Sequence, residues 1–409
     1  MIDPHALAEG VFAHMPPALQ QELKRCASYL MPLAAHRIPV VSLRGATRSG
    51  EQPATMLVAG AEHWVSYLAS RFFADAPRRE TVGQAPVWAL ARVLRRLRPS
   101  ADLTIAHIDR LSAQLYFDDD YLTVPDWIGA LLPMPVDLER LARTRNSVSD
   151  DIRNTRCRWH TVEVAHAAAD FEVFYDRMYL PYAHDRHGRQ TYVYNKYLLR
   201  RAFRRGGILH LTRDGSPLAG ALFERNGSTL IFLALGVVNG DMALLRQGAV
   251  AALYVHLLEY AREQGCMAID FRGSRPSLLD GVLRYKRKWG ATLYDKRDVV
   301  HATLVYWNRL DDVVAEFLAH TPLIFRDGDG LSAVAVVNRP APWTAADLRR
   351  ERDKLWVTGL RKLSLIANAE GPFNLPIPPD TQLLSRKTLS NAGPRALLTP
   401  IGASPRDTE

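Results

Sequence analysis

Cysteine is scarce in this sequence, and the three cysteines, Cys26, Cys157 and Cys266, are odd in number and far apart. This pattern argues against a disulfide framework and against a zinc knuckle, and it is typical of a reducing compartment. The sequence also lacks an uncharged apolar run long enough for a transmembrane helix. Its first residues lack the basic and apolar segments of a secretory signal. We therefore expect a cytoplasmic protein without a membrane span.

Lysine is rare as well, because only eight of the 52 basic residues are lysines and the other 44 are arginines. The formal net charge of +9 favours anionic partners such as phosphates, CoA, nucleic acid or a membrane surface, although surface composition alone would also produce it. The length of 409 residues and a hydrophobic content of 47% allow two or three domains with real cores. Three of the lysines, Lys286, Lys288 and Lys296, lie close together.

A regular succession of elements begins at Gly206 and ends near Arg297. Alternating apolar residues and two turn signals, Asp214-Gly215 and Asn226-Gly227, predict an antiparallel meander of three strands. The strands are expected at 208–212, 218–224 and 229–235. A long amphipathic helix at 244–263, a buried strand at 267–271, a helix at 277–289 and strands at 292–296 and 299–306 should follow.

The flanking segments have weaker patterns. The segment from Tyr179 to Gly188 is rich in polar and aromatic residues and is interpreted as a loop. Residues 343–367 are interpreted as one long charged helix, and the proline-rich chain from Glu370 onward as a largely irregular tail.

These patterns predict three consecutive domains. They are residues 1–150, an N-terminal α/β region; 151–340, a catalytic domain; and 341–409, a C-terminal helix and tail.

The order strand, strand, strand, helix, strand, helix, strand resembles the core of the GNAT superfamily of acyltransferases. The stretch GCMAIDFRGSRPSLLDGVLRYKRKWGATLY is similar to the late segment of its FemAB-like and acetyltransferase-like (cellulose-biosynthesis-associated) branch, through Asp270, Phe271, Tyr285, Lys286 and the Trp289-Gly290 pair. The resemblance implies a mixed α/β, GNAT-like acyl-CoA N-acyltransferase fold, with a degenerate second GNAT-like half in the N-terminal region. It also implies that strands 229–235 and 267–271 part to leave a slot for an acyl donor.

The resemblance implies a donor site before the long helix, at Arg246, Gln247, Gly248 and Ala249. A helix N-terminus offers backbone N–H groups and a positive dipole end, which suit a phosphate. Close packing of helix and sheet is the alternative explanation for Gly248 and Ala249. The glycine turn is compressed relative to the usual CoA-binding turn of the superfamily, so the donor is either acyl-CoA (or a carrier thioester) or aminoacyl-tRNA. No tightly bound cofactor is expected.

The candidate catalytic residues are Lys286, Asp270, His184 and His187. Asp270 ends a buried strand, where a carboxylate needs a partner, so it either orients the acceptor amine or forms a structural ion pair. The resemblance implies that Lys286 reaches the donor phosphate or the oxyanion, whereas a basic last helical turn also complements the helix dipole. A histidine titrates near neutrality and is a common general base. No third metal ligand accompanies the two histidines, so no metal site is predicted.

The substrate-binding candidates are drawn from the same segments, and a solvated connection or structural packing is the alternative for each. They are Tyr182, Arg186, Arg272, Arg275, Tyr285 and Lys288.

Three functions remain open from the sequence. The first is an N-acyltransferase that moves an acyl group from acyl-CoA or a carrier thioester to an amine of a small molecule or sugar. The second is a FemAB-like aminoacyltransferase that uses charged tRNA, for which the arginine-rich helices would bind phosphates. The third is a GNAT-like domain without catalytic activity that serves in binding.

Overall fold

A computed structural model describes residues 37–398 except 51, 160, 188–192, 297, 340, 341 and 372, with the backbone alone at 63, 67, 186 and 187. The first 36 residues of the expected N-terminal region therefore lie outside the described residues. None of the described helices has the length and the apolar character that crossing a bilayer requires.

The described chain contains both strands and helices, which are numbered in chain order. The strands are β1 (Ile38–Ala46), β2 (Pro53–Ala59), β3 (Arg78–Ala85), β4 (Leu103–Asp109), β5 (Leu122–Pro125), β6 (Ile128–Pro133), β7 (Val162–Ala165), β8 (Gly206–Arg213), β9 (Ser216–Asn226), β10 (Thr229–Val237), β11 (Ala268–Ser274), β12 (Thr292–Asp295), β13 (His301–Tyr306), β14 (Leu323–Asp327), β15 (Gly330–Val337), β16 (Leu360–Ala367) and β17 (Thr381–Ser385).

The helices connect these strands. The α-helices are α1 (Glu62–Phe72), α2 (Val87–Leu97), α3 (Arg110–Tyr116), α4 (Leu138–Thr144), α5 (Asn146–Arg158), α6 (Ala168–Val173), α7 (Leu180–His187), α8 (Lys196–Phe203), α9 (Met242–Arg246), α10 (Ala249–Glu263), α11 (Gly281–Lys288), α12 (Asp312–His320) and α13 (Ala345–Leu355). A π-helix (Phe174–Tyr179) leads into α7, and 3₁₀ turns occur at Arg98–Ser100, Val238–Gly240 and Pro394–Leu397.

The structure divides into two compact units, each assembled from separate stretches of the chain. The described part of unit 1 comprises Gly129–Gly273 and Tyr285–Thr292. The described part of unit 2 comprises residues up to Ile128, Ser274–Arg284 and residues from Leu293 onward. The three consecutive domains expected from the sequence remain a prediction.

Unit 1 is built on a mixed sheet in which β6, β11, β10, β9, β8 and β7 lie in that order. Successive residues of a strand face opposite sides of a sheet, and the two sides here carry separate cores. Leu209 and Phe223 face the core that contains α10, whereas Ile208 and Leu222 face the core that contains the π-helix. The three-stranded meander of β8, β9 and β10 is confirmed, with antiparallel pairing throughout. This mixed α/β arrangement is a GNAT-like fold.

Unit 2 contains two sheets. The larger has the strand order β3-β1-β2-β4-β13-β5, and the smaller has the order β14-β15-β16-β17. In the larger sheet β13, from the late chain, lies between β4 and β5 and pairs antiparallel with both.

Three expectations about local structure are wrong. The segment from Tyr179 to Gly188 is not a loop, because Leu180–His187 forms helix α7 directly after the π-helix; its proline lies in the first turn, where the missing donor is tolerated. Residues 343–367 are not one helix: α13 ends at Leu355 and β16 follows. The strand β16, with the sequence LRKLSLIA, mixes polar and apolar residues without strict alternation, so its pattern does not separate it from the helix before it.

The expected irregular tail is also corrected. Thr381–Ser385 forms strand β17, which pairs in parallel with β16. Its short apolar run becomes a strand through pairing with a distant segment, which local composition does not reveal.

Candidate active site

Strands β10 and β11 part from each other inside unit 1. They pair in parallel at only three positions, Thr229 with Ala268, Leu230 with Ile269 and Ile231 with Asp270. Beyond that point β10 continues to Val237 and β11 to Ser274. The two strands therefore form a slot that widens toward their carboxyl ends, as the resemblance to the GNAT core implies.

A β-bulge accounts for the parting of the strands. The register of β10 against β9 shifts between Phe232 and Ala234, so Leu233 is the extra residue on β10. A bulge bends its strand and increases the local twist. Because it begins two residues after the last β10–β11 pair, at Ile231, it turns β10 away from β11 while the pairing with β9 continues.

Aromatic rings fill the closed end of the slot. Phe232 and Phe271 are the first residues beyond the last strand pair, and their ring centroids lie 6.2 Å apart in an edge arrangement. The ring of Tyr254, from α10, lies 5.2 Å from each of them. All three side chains are buried, so the slot has an apolar, well-packed floor.

Helix α10 begins at the open end of the slot. The chain leaves the carboxyl end of β10, runs through α10 and returns to the start of β11, so the N-terminus of α10 lies on the same side as the carboxyl ends of both strands. Gly248 precedes α10 with a φ of 90°, a left-handed conformation that favours glycine. The free N–H groups of this first turn carry the positive end of the helix dipole.

Two side chains of unit 1 fix the turn before α10. The backbone carbonyl of Gln247 accepts hydrogen bonds from Asn154 Nδ2 at 2.7 Å and from Trp159 Nε1 at 3.0 Å. A Cβ added at Gly248 would lie 2.4 Å from Asn154 Nδ2. The short helix α9 thus ends in a turn that is held by Asn154 of α5 and by Trp159, the residue directly after α5.

The four residues predicted to hold the donor lie together at this turn. Arg246 is exposed, Gln247 and Gly248 are half-buried, and Ala249 is fully buried. The burial of Ala249 agrees with the packing explanation for that residue. Arg246, as an exposed cation beside a helix N-terminus, has the chemistry to contact a phosphate.

Asp270 and Arg272 occupy the point where the strands part. Asp270 Oδ1 accepts a hydrogen bond from the backbone N–H of Arg272 at 2.7 Å, and its other oxygen lies 3.9 Å from the Arg272 guanidinium. Arg272 has a φ of 59°, which is rare for a residue other than glycine. The carboxylate therefore stabilises a sharp backbone turn at the end of the paired part of β11.

Lys286 is buried, with 4% of its surface exposed. Its Nζ donates hydrogen bonds to the carbonyl of Gly273 at 2.7 Å and to that of Arg272 at 3.2 Å. Both carbonyls belong to the part of β11 that lies beyond the last pair with β10. The ammonium therefore holds the diverging end of β11, and a contact between Lys286 and a donor remains a prediction.

Tyr285 and Lys288 extend the polar groups of helix α11. Burial raises the pKa of Tyr285, and the negative charge of Asp151 raises that pKa further. The ring of Tyr285 lies 4.9 Å from the ring of Tyr254, measured between centroids. The Tyr285 hydroxyl is buried, and the indole N–H of Trp289 is the polar side-chain group that approaches it. Lys288 forms an ion pair with Asp151. Tyr285 thus offers a neutral O–H group beside the aromatic floor, whereas Lys288 is engaged in the packing of α11 on α5.

The other histidine and arginine candidates lie on different elements of the chain. His184 is exposed on α7, and Tyr182 on the same helix is half-buried against the core that contains α10. The side chains of Arg186 and His187 lie outside the described residues. Arg275 belongs to unit 2, where its guanidinium lies 4.5 Å from the ring of Trp127 in a cation–π contact.

Helix α7 is placed near the slot by a close backbone contact. A Cβ added at Gly236, near the end of β10, would lie 2.4 Å from the backbone of Met178 in the π-helix. π-helical turns are frequent at functional sites, and this one leads into α7 beside the part of β10 that no longer pairs with β11. Asn154 and Trp159 could not be predicted as part of the site, because nothing in their local sequence indicates that they contact the turn at Gln247.

Comparison with known proteins identifies the domain. Residues 142–287 match the family model described as an acetyltransferase (GNAT) domain. No curated protein matches the chain.

Solved structures align with the chain at low identity. FemX is 14% identical, covering 62% of this chain and 81% of its own, with a TM-score of 0.33. The C-terminal domain (DUF2156) of a putative lysylphosphatidylglycerol synthetase from Agrobacterium fabrum is 12% identical, covering 68% and 86%, with a TM-score of 0.31. A GCN5-related N-acetyltransferase from Kribbella flavida is 9% identical, covering 79% and 71%, with a TM-score of 0.28. These scores are too low to inform function.

The matched segment begins within α4 and ends within α11, and it contains the bulged strand β10, helix α10 and strand β11. Residues 142–287 of this chain are therefore similar to a GNAT acetyltransferase domain over the segment that contains the parted strands.

Proposed function

We propose that this protein is an N-acyltransferase that moves an acyl group from acyl-CoA or a carrier thioester to an amine of a small molecule or sugar. The observation that carries the proposal is the parting of β10 and β11 after Ile231 and Asp270 beside the start of α10. An extended donor arm in that slot would meet strand backbone on both sides, and its phosphates would meet the N-terminus of α10 and Arg246.

The reaction needs two proton movements. The acceptor nitrogen attacks the thioester carbonyl carbon, the C–S bond breaks, the nitrogen loses a proton and the departing sulfur gains one. Tyr285, kept neutral by burial, is the group that we assign to protonate the sulfur. Asp270 and His184 remain the candidates for accepting the proton of the amine, with Tyr182, Arg186 and His187 on the acceptor side.

Lys286 is best explained as a positioning residue in this scheme. Its ammonium donates hydrogen bonds to the carbonyls of Arg272 and Gly273, so it holds the part of β11 that borders the slot. Support of this kind keeps a site within the narrow tolerance that catalysis requires.

Aminoacyl transfer from charged tRNA is the second candidate. It would use arginine-rich surfaces as phosphate contacts, and helix α8 with its C-terminal end is one of them. In the structure, however, Arg200 pairs with Glu172 and Arg205 pairs with Glu224. These pairs reduce the charge available to a nucleic acid, and this favours a thioester donor.

Calorimetric titration with CoA, acetyl-CoA and a charged tRNA tests the proposal, using Gly248→Ala and Gly265→Ala as a matched pair. Both glycines have a positive φ, at the two ends of α10, but a Cβ at Gly265 meets open space whereas a Cβ at Gly248 meets Asn154. We expect CoA species to bind the wild type and the Gly265 variant equally, and the Gly248 variant at least about tenfold more weakly, which is about 1.4 kcal/mol. Binding of charged tRNA alone would favour the second candidate. Equal CoA affinity of both variants would contradict the donor site.

A further inference from the structure

Unit 2 brings two histidines and an aspartate together on one face of its larger sheet. His107 lies on β4 and His301 begins β13, the strand between β4 and β5, while Asp126 directly follows β5. The register pairs Thr303 with His107 and Ala302 with Pro125. Because side chains alternate between faces, His301 lies on the same face as His107, diagonally across, and opposite Asp126.

The potential ligand atoms converge. One nitrogen of each histidine and one oxygen of Asp126 all lie within 4.8 Å of one another. Nε2 of His107 lies 3.0 Å and 3.1 Å from the two oxygens of Asp126, and the rings of His107 and His301 are stacked with centroids 5.0 Å apart. Two ligand atoms of one first-row metal ion, each about 2.0–2.2 Å from it, lie at most about 4.4 Å apart, and His107 Nε2 and Asp126 already lie within that limit.

The cluster is shielded from solvent. The side chains of His107 and Asp126 are 9% and 12% exposed, and the ring of Trp64 lies 4.4 Å from that of His107. A carboxylate in such a place needs a compensating positive charge. The stacked imidazoles of His107 and His301 lie beside this carboxylate.

We propose that His107, Asp126 and His301 bind a divalent transition-metal ion of the zinc class. Two imidazole nitrogens and one carboxylate oxygen are ligands that zinc accepts in proteins, and three protein ligands leave a fourth position for water or another ligand. The site is independent of the proposed acyl transfer, because it is assembled from strands of unit 2.

Cobalt and zinc serve as probes on the full-length chain after treatment with a chelator. We expect the wild type to bind one equivalent of Co²⁺ with a visible d–d absorption, which Zn²⁺ abolishes by competition, and to gain thermal stability with Zn²⁺. His107→Gln and His301→Gln should each weaken binding at least tenfold. His320→Gln, which changes an exposed histidine of the same unit, is the control and should bind as the wild type does.

Two results would overturn the proposal. One is an absence of stoichiometric binding by the wild type, which would leave a hydrogen-bonded His–Asp cluster. The other is binding that persists in both variants, which would place the ion at other histidines. If either variant fails to fold, anomalous diffraction at the zinc edge from wild-type crystals decides the question: a peak between these three side chains supports the site, and a peak elsewhere or none refutes it.

Discussion

Replacing Lys286 with methionine should destabilise the protein by about 1–3 kcal/mol. The substitution keeps most of the length and apolar volume of the side chain but removes the ammonium, which is 4% exposed and donates to the carbonyls of Arg272 and Gly273. A hydrogen bond to a charged group contributes about 1.5–3 kcal/mol, and a buried carbonyl left without its donor costs about 1–3 kcal/mol. Relief from burying a charge offsets part of this loss, which sets the lower bound.

Chemical denaturation measures this effect, with Lys196→Met as the control. Lys196 is a lysine of the same unit whose ammonium likewise has two partners, the carboxylates of Glu172 and Asp176, but its side chain is 34% exposed. Exposed pairs contribute little, so the control should lose less than about 1 kcal/mol. An unfolding free energy of Lys286→Met within about 0.5 kcal/mol of the wild type would refute the structural role of the ammonium.

Three further variants test other contacts of unit 1. Gly236→Ala should lower the unfolding free energy by about 1–3 kcal/mol, because its Cβ would meet the backbone of Met178, and thermal denaturation measures this. Tyr285→Phe should change the unfolding free energy by less than about 1.5 kcal/mol, because it keeps the ring and removes at most the contact of the hydroxyl with the Trp289 N–H, yet it should lower the rate of acyl transfer. Burial alone lowers the pKa of His256, but hydrogen bonds to Glu259 and to a backbone carbonyl outweigh it and raise that pKa. Protonated His256 therefore stabilises the folded state; this contribution is complete below pH 6.5 and is lost as the pH rises through the raised pKa of the folded protein. His256→Gln removes the contribution, so the unfolding free energy of the variant should decrease less than that of the wild type as the pH rises above 6.5.

Each of these variants has an informative failure. Gly281→Ala is the control for Gly236→Ala, since a Cβ there meets open space, and equal stability of the two variants would contradict the close contact. An unchanged rate for Tyr285→Phe would exclude the proton-donating role. A stability profile of His256→Gln that still falls above pH 6.5 as steeply as that of the wild type would show that another group causes the fall.

The meander of unit 1 could be predicted from the sequence because local signals fix it. The turn at Asp214-Gly215 and the alternation of apolar residues belong to neighbouring positions, and the structure confirms the strands that they predict. The long helix was predicted with one start, but Gly248 divides it into α9 and α10. A glycine within an apolar periodic run does not reveal whether it bends the chain.

The remaining features depend on distant residues and could not be predicted. The bulge at Leu233 has no local sequence signal and becomes visible only in the register against β9. The cluster of His107, Asp126 and His301 requires a late strand to enter the sheet between two early ones. The role of Lys286 likewise depends on carbonyls that its helix approaches only in the folded chain.

Hydrogen–deuterium exchange in the presence and absence of a saturating acyl-CoA tests the central claim most directly. Backbone amides exchange according to local opening and ligand contact. The claim predicts added protection in peptides that cover Phe232–Val237 and the first turn of α10, with little change in β8. Protection confined to other segments, or unchanged exchange at both places despite measured binding, would contradict a donor slot between β10 and β11.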